Sequence, residues 1–101
     1  MSQVEHLSNF TSNALEQEIL NRFRNLVKII PSDCKIFRES WGTSTVLCLD
    51  FSCCPYQLEI VKENSAVLTK TLQEMAISKS IIFRNGNQVK ALRHIFSTKN
   101  N

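Results

Sequence analysis

Between Leu47 and Lys62 the sequence LCLDFSCCPYQLEIVK changes its hydrophobic period within a few residues. Leu47, Leu49 and Phe51 recur at every second position, whereas Leu58, Val61, Leu68, Leu72 and Met75 recur about every 3.5 positions. The first spacing fills one face of a strand and the second one face of a helix, so a strand must run into a helix here. The elbow between them is Ser52-Cys53-Cys54-Pro55. Pro55 suits the first turn of a helix, where its missing N–H goes unused, and Ser52 or Cys54 lies at the cap position. A single helix is predicted from about Pro55 to Met75.

The other elements are placed around this joint. Residues 1–11 are polar and aperiodic and read as a flexible lead-in. Asn13 with Glu16 has the form of a capping box, after which Leu15, Ile19, Phe23, Leu26, Val27 and Ile30 return at helical spacing until Pro31 stops the run. That stripe is expected to face the core. Cys34 to Glu39 has the β-branched and aromatic content of a strand, Trp41-Gly42-Thr43 supplies a turn, and Ser44 to Phe51 alternates as a second strand. So short a connection makes an antiparallel hairpin. A lone tryptophan in a small domain is expected to be largely buried, which gives Trp41 a structural role ahead of a docking one. Ser80 to Arg84 reads as a third strand, ended by Asn85-Gly86. In the tail, Asn87 is read as capping a short helix with Val89, Leu92, Ile95 and Phe96 on one face. This is preferred over a fourth strand from Gln88 to Leu92 because the spacing continues past Leu92, where alternation fails.

The expected fold class is α+β, a two-layer α-β-β-α-β order in which two helices cover one face of a three-stranded sheet, as in KH-like domains. The expected organisation is a lead-in (1–11), one α+β domain (12–86) and a basic tail (87–101). The strand-helix-strand unit across the elbow is right-handed if its strands are parallel neighbours.

A chain of 101 residues with 43% apolar and 21% charged residues has room for a single modest core. The first residues, MSQVEHLSNF, lack the basic and apolar regions of an export signal, and no run has the roughly 18 apolar residues that cross a bilayer. A cytoplasmic protein without a membrane role is expected, and its four cysteines should then stay reduced. Cys53 and Cys54 sit at a predicted helix N-terminus, where the macrodipole lowers a thiol pKa. No base can be assigned beside them, since His6 lies in the lead-in and His94 in the tail, so they read as packing groups. The only close cysteine pair is contiguous, which argues against zinc. Glu59, Glu63 and Glu74 are spaced for solvent, and no phosphate-binding glycine motif is present. The expectation is a non-enzyme with no catalytic, cofactor or metal residues and no small-molecule substrate.

Charge is uneven along the chain. From residue 79 onward stand Lys79, Arg84, Lys90, Arg93 and Lys99 with no acidic residue, a local charge of +5, against seven basic and nine acidic residues before it. Such a segment suits a polyanion, with Lys79, Arg84, Lys90 and Arg93 as the candidate nucleic-acid contacts; solvated charges on a tail explain it about as well. Phe37, Phe83 and Phe96 lie beside these or other arginines and stack bases if exposed, although Phe83 alternates like a core residue.

The elbow and the later IIFRNG segment together resemble the DciA family, bacterial accessory proteins of the replicative helicase. Leu47 and Leu49 on the strand, Ser52 at the elbow, Leu58 and Lys62 on the helix, and Ile81, Phe83 and Gly86 later stand where the family pattern has them, over about residues 44–86. Where that family usually shows a Trp in the elbow or first turn, this chain has Cys54-Pro55-Tyr56. The N-terminal domain of the initiator DnaA is similar in pattern too. The resemblance implies a module that engages the replicative helicase DnaB and assists its loading on single-stranded DNA, with Trp41, Tyr56 and Lys62 on the side of the protein partner. The alternative is a protein-only adaptor or small chaperone working through an oligomerisation or partner surface, either one face of the sheet or an apolar tail helix.

Overall fold

In the computed structural model, residues 2–95 are described, with side chains from residue 13 onward. The elements are α1 (Ser2–Leu26), β1 (Lys35–Trp41), β2 (Ser44–Asp50), α2 (Leu58–Glu63), α3 (Ser65–Met75), β3 (Ser80–Asn85) and β4 (Gln88–His94), with a 3-10 turn at Pro55–Gln57. Together they form an α+β fold: a four-stranded mixed sheet in the order β1-β2-β3-β4, with three α-helices among the described residues. β1 and β2 are antiparallel, β2 and β3 parallel, and β3 and β4 antiparallel.

The elbow joins strand to helix as the change of period requires, by means other than a side-chain cap. Neither Cys54 nor Gln57 caps the helical segment that follows it. Instead Asp50 Oδ1 accepts from the Ser52 N–H at 3.0 Å and from the Gly86 N–H at 2.9 Å, tying the end of β2 to the β3–β4 turn. The Phe51 N–H donates to Arg84 O at 2.8 Å and so extends the parallel ladder one residue beyond β2.

The helix after the elbow is two helices, not one. Asn64 donates from both its backbone and its side-chain amide to Ile60 O, at 3.2 and 2.7 Å, closing α2 before α3 begins. Asparagine favours such local bonds over helix continuation. α3 ends at Ala76, which adopts a left-handed conformation (φ 56, ψ 41) and donates to Leu72 O at 2.8 Å. α1 is helical well ahead of Asn13, which therefore lies inside the helix rather than at its start.

The tail returns as strand β4 rather than as a short helix, so the sheet has four strands and not three. Gly86, at φ 61, and Asn87 form the two-residue loop between paired Asn85 and Gln88. Gly42, at φ 65, plays the same part between Trp41 and Ser44. Positive φ at the first loop position alone is the hairpin geometry that favours glycine there. The register shifts by one residue at Phe83/Arg84, so that Arg84 faces Val89 while Phe83 faces Ala91 and Lys90 is extra. Val89 and Leu92, opposite Arg84 and Ile82, thereby share a face although three residues apart. A bulged strand thus imitates helical spacing. Phe96 and Lys99 lie outside the described residues.

All three helices pack on one face of the sheet. Leu20 and Phe23 of α1 with Val27 just past its end, Leu58 and Val61 of α2, and Leu68 and Leu72 of α3 meet Leu47, Leu49, Phe51, Ile81 and Phe83 in one buried cluster. Phe51 and Phe83 stack with centroids 6.4 Å apart. Each such side chain, fully buried, contributes about 1.5–3 kcal/mol relative to exposure. The inward stripe is Leu20 and Phe23 of α1, continued by Val27 just past its end. Leu15 and Leu26, expected in the core, are exposed instead. Polar ties fix the orientation of α1: Arg38 of β1 forms a bidentate pair with Glu16 and donates to Ile77 O at 2.8 Å. Arg24 donates to Pro31 O at 3.0 Å and to Cys34 O at 2.6 Å, closing the loop into β1.

Two measurements follow. The left-handed backbone at Ala76 costs a non-glycine residue about 1–2 kcal/mol, more than the 0.5–1 kcal/mol of chain entropy that glycine adds to the unfolded state. Ala76→Gly therefore raises stability by about 0.5 kcal/mol in urea unfolding. The second concerns acid. Bonding to Arg38 holds Glu16 below its ordinary 4.5, outweighing burial. For Asp50, burial pushes upward, but the N–H groups of Gly86 and Ser52 prevail and hold it below 3.8. Both carboxylates have folded values below their unfolded ones, so their contribution is complete above the unfolded values and is lost as pH falls through the folded ones. Thermal melts are expected to be level from about pH 7 to about pH 5 and to decline below about pH 4.5, with part of the acid slope absent in Asp50→Asn.

Candidate functional site

With the helices on one face, the described structure leaves the other face of the sheet without a helical layer. Period-2 alternation and the register decide its members: Lys35, Phe37, Glu39 and Trp41 from β1, Ser44, Val46, Cys48 and Asp50 from β2, Ser80, Ile82 and Arg84 from β3, and Val89, Leu92 and His94 from β4. Val46, Cys48 and Ile82 are nevertheless buried, forming a second apolar cluster against which Phe37 packs.

The cover over this cluster is built by side chains of the face itself. The Arg84 guanidinium stands 5.8 Å from the centroid of the Phe37 ring. Its Nε donates to Gly86 O at 2.8 Å, and its Nη1 lies 3.4 Å from Glu39 Oε2. The other oxygen of Glu39 accepts from Trp41 Nε1 at 3.0 Å, so a single carboxylate positions both the arginine and the tryptophan. At the opposite corner Ser80 Oγ and His94 Nδ1 are 3.2 Å apart. The Cys48 thiol, under Arg84, is pushed up by burial and stays protonated. Trp41 is 46% exposed, Leu92 41% and Val89 52%. Trp41 is thus not the buried structural residue that a lone tryptophan suggests, because it ends an edge strand on the side without helices. The result is an apolar and aromatic surface whose one arginine is already neutralised.

The expected nucleic-acid residues do not converge on this face. Only Arg84 belongs to it, and its charge is spent on Glu39. Arg93 pairs with Ile81 and so points to the helix side of the sheet, where Lys79, opposite Ile95, is its diagonal neighbour. Lys90 is the extra residue of the bulge. The expected partner residues are also spread out. Trp41 pairs with Ser44 at the start of the seven-residue β2, whereas Tyr56 follows its far end, so the length of the strand, roughly 20 Å, lies between their positions in the chain path. Tyr56 is 92% exposed on the turn after the elbow, and Lys62 pairs with Glu59 at 3.0 Å. Phe83 is core. The cluster of Phe37, Glu39, Trp41 and Arg84 was not singled out from sequence, although Phe37, Glu39 and Trp41 alternate as one face of a strand would.

A second concave surface lies between α1 and the end of α3, about 560 Å³, lined by Leu15, Ile19, Leu26, Met75 and Ile77 with charged residues at its rim. Among the described residues no group of three or more His, Cys, Asp or Glu is arranged to hold a metal, and no helix is long and apolar enough to cross a membrane. Comparison with family models, with curated proteins and with solved structures finds no match.

The cysteines separate by environment. Cys54 packs against the core and burial pushes its thiol up, opposite to what the macrodipole alone does, while Cys53 is exposed and packs against nothing in the core clusters. Cys34, fully enclosed, is pushed up to about 12 by burial. Thiol labelling of the native protein near pH 8 is therefore expected to modify Cys53 first and Cys54 more slowly. Cys34 and Cys48 should react only at the rate of unfolding, as peptide mass mapping against time would show.

Proposed function

We propose that the protein is a non-enzymatic binding module whose helix-free sheet face docks a protein partner. The observation that carries this reading is the Phe37–Arg84–Glu39–Trp41 cluster: aromatic and aliphatic surface held in fixed positions, with its arginine paired to Glu39 inside the face. Protein interfaces centre on such positioned aromatic and arginine groups. A phosphate-binding face needs several free cations instead; here Arg84 is paired, Lys35 stands at the end of β1 opposite Asp50, and Lys79, Lys90 and Arg93 lie off the face.

The resemblance over residues 44–86 names the partner to try first, the replicative helicase DnaB. The KH-like reading belongs with it: α1-β1-β2, a helical crossover and β3 keep the order that reading requires, with β4 as an addition. A second reading, contact with single-stranded DNA, has one observation in its favour. Lys79 and Arg93 share the helix side of the sheet at the β3–β4 edge, with Lys90 close by at the bulge. Helicase loading would use the protein surface and this edge together.

Purified helicase and the protein, titrated in a biosensor, test the reading directly. Trp41→Ala is expected to weaken binding by about 2 kcal/mol, roughly thirtyfold in Kd, with the melting temperature nearly unchanged. Arg93→Glu should leave helicase affinity in place while reducing retention on oligothymidylate at low salt. Binding unaffected by Trp41→Ala would remove the open face from the mechanism. If the helicase does not bind, its identity as partner fails, and a different protein requiring Trp41 leaves the adaptor reading standing.

A further inference from the structure

β4 is the last strand of the sheet, and its outer edge is unpaired in the described structure. The Ile95 N–H donates to Lys79 O at 2.8 Å, so Ile95 and, two residues earlier, Arg93 turn their backbone groups towards β3. In an antiparallel ladder the alternate residues then present theirs to the other side. Those residues are Leu92 and His94, both exposed. Each offers one N–H and one C=O at the free edge, enough for a short added strand.

The side chains along this edge are sorted by face. Leu92 and Val89 give an apolar stripe on the helix-free side, and Arg93 gives a cation on the other, with Lys79 beyond it. Lys90 adds a third charge at the bulge. Among the described residues none of these three cations has a carboxylate partner, and from residue 79 to the end of the chain there is no acidic residue. Such an edge discriminates between occupants. A second copy of β4 would bring lysine and arginine against lysine and arginine, and the bulge shortens the stretch on which two copies can pair. An incoming strand with acidic residues at alternate positions meets Arg93 on one face and Leu92 on the other. The charges that repel a copy attract such a strand.

We propose that the free edge of β4, from Ala91 to Ile95, takes up an extended acidic segment of a partner protein as a fifth strand, with its acidic residues alternating with apolar ones. The added strand forms backbone hydrogen bonds with Leu92 and His94, sets its apolar side chains against Leu92 and Val89, and sets its carboxylates against Arg93 with Lys90 and Lys79 nearby. Leu92 and Val89 also belong to the helix-free face, with β2 and β3 between them and Phe37 and Trp41 on β1; because uptake here is read at Leu92 and His94 and docking there through Trp41, failure of one reading is distinguishable from failure of the other.

An N-acetylated octapeptide of alternating glutamate and valine is the probe, with the lysine-for-glutamate peptide and oligothymidylate as comparisons. Binding is read by amide hydrogen exchange in the full chain. The expected result is at least tenfold greater protection at Leu92 and His94 with the acidic peptide, weakened by salt, and none with the lysine peptide. Leu92→Pro removes one outward N–H without touching the bonds from Arg93 to β3 and should abolish uptake while keeping the melt cooperative. Arg93→Glu, which alters no backbone bond, should weaken the acidic peptide about tenfold and admit the lysine peptide. The proposal is overturned if the acidic peptide fails to bind, if it binds without protecting Leu92 and His94, if Arg93→Glu leaves the preference unchanged, or if oligothymidylate produces the same protection.

Discussion

The structure depends on the parallel ladder between β2 and β3. Val46 to Asp50 pairs in register with Ser80 to Arg84, and the ladder is lengthened at both ends by the Lys79 N–H on Thr45 O and the Phe51 N–H on Arg84 O, each at 2.8 Å. Parallel neighbours need a crossover, and α2 with α3 supplies it. Because the crossover lies on one side, Leu47, Leu49, Ile81 and Phe83 become core, and Val46, Cys48 and Ile82 are left to be covered from the other side by whatever the strands themselves provide. The asymmetry of the two faces, and so the existence of a helix-free surface, follows from that single connection.

The second face is not left to water. Three fully or nearly buried residues there are roofed by Phe37 and Arg84, and Arg84 is held at three points: ring, carboxylate and carbonyl. A half-buried guanidinium with so many partners has lost much of its rotamer freedom before any ligand arrives, which lowers the entropy lost when a partner docks. Glu39 is the pivot, since it holds Trp41 with its other oxygen. The ion pair adds little stability by itself, as a partly exposed pair. Its effect is to fix the shape of an apolar surface and to cancel the charge of the arginine at its centre.

How far the sequence reached follows from which signals were local. The change of period around Leu47–Lys62 placed β2, the elbow and the start of the helical crossover, because alternation and 3.6-residue recurrence are properties of single elements. Asn64 broke the long helix through a side-chain bond four residues back, to Ile60, which the apolar stripe on either side concealed. The β4 error has a sharper cause: one extra residue at Lys90 turned a two-residue repeat into a three-residue one, and Val89 and Leu92 then read as a helix face. Leu15 and Leu26 read as core because the stripe on α1 is wider than the surface it covers, and only the position of α1 over the sheet, set by Arg38 and Glu16, selects Leu20, Phe23 and Val27. The candidate site was the least legible part. Phe37, Glu39 and Trp41 are near one another in sequence, but Arg84 joins them only through two strand pairings that no local pattern specifies.

The basic segment that looked like one polyanion site is divided by the sheet itself: Arg84 is consumed on the helix-free face, Arg93 and Lys79 turn to the helix side, and Lys90 sits in the bulge. Alternation sends neighbouring residues of a strand to opposite faces, so a run of cations in sequence becomes a cationic surface only if the spacing matches the period. Here it does not, and the free cations gather along an edge instead of over a face. A strand edge flanked by cations has unsatisfied backbone groups and a field of one sign in the same place. Phosphate needs only the field, whereas an acidic extended peptide uses both, and that difference sets the order in which ligands for this edge should be tried.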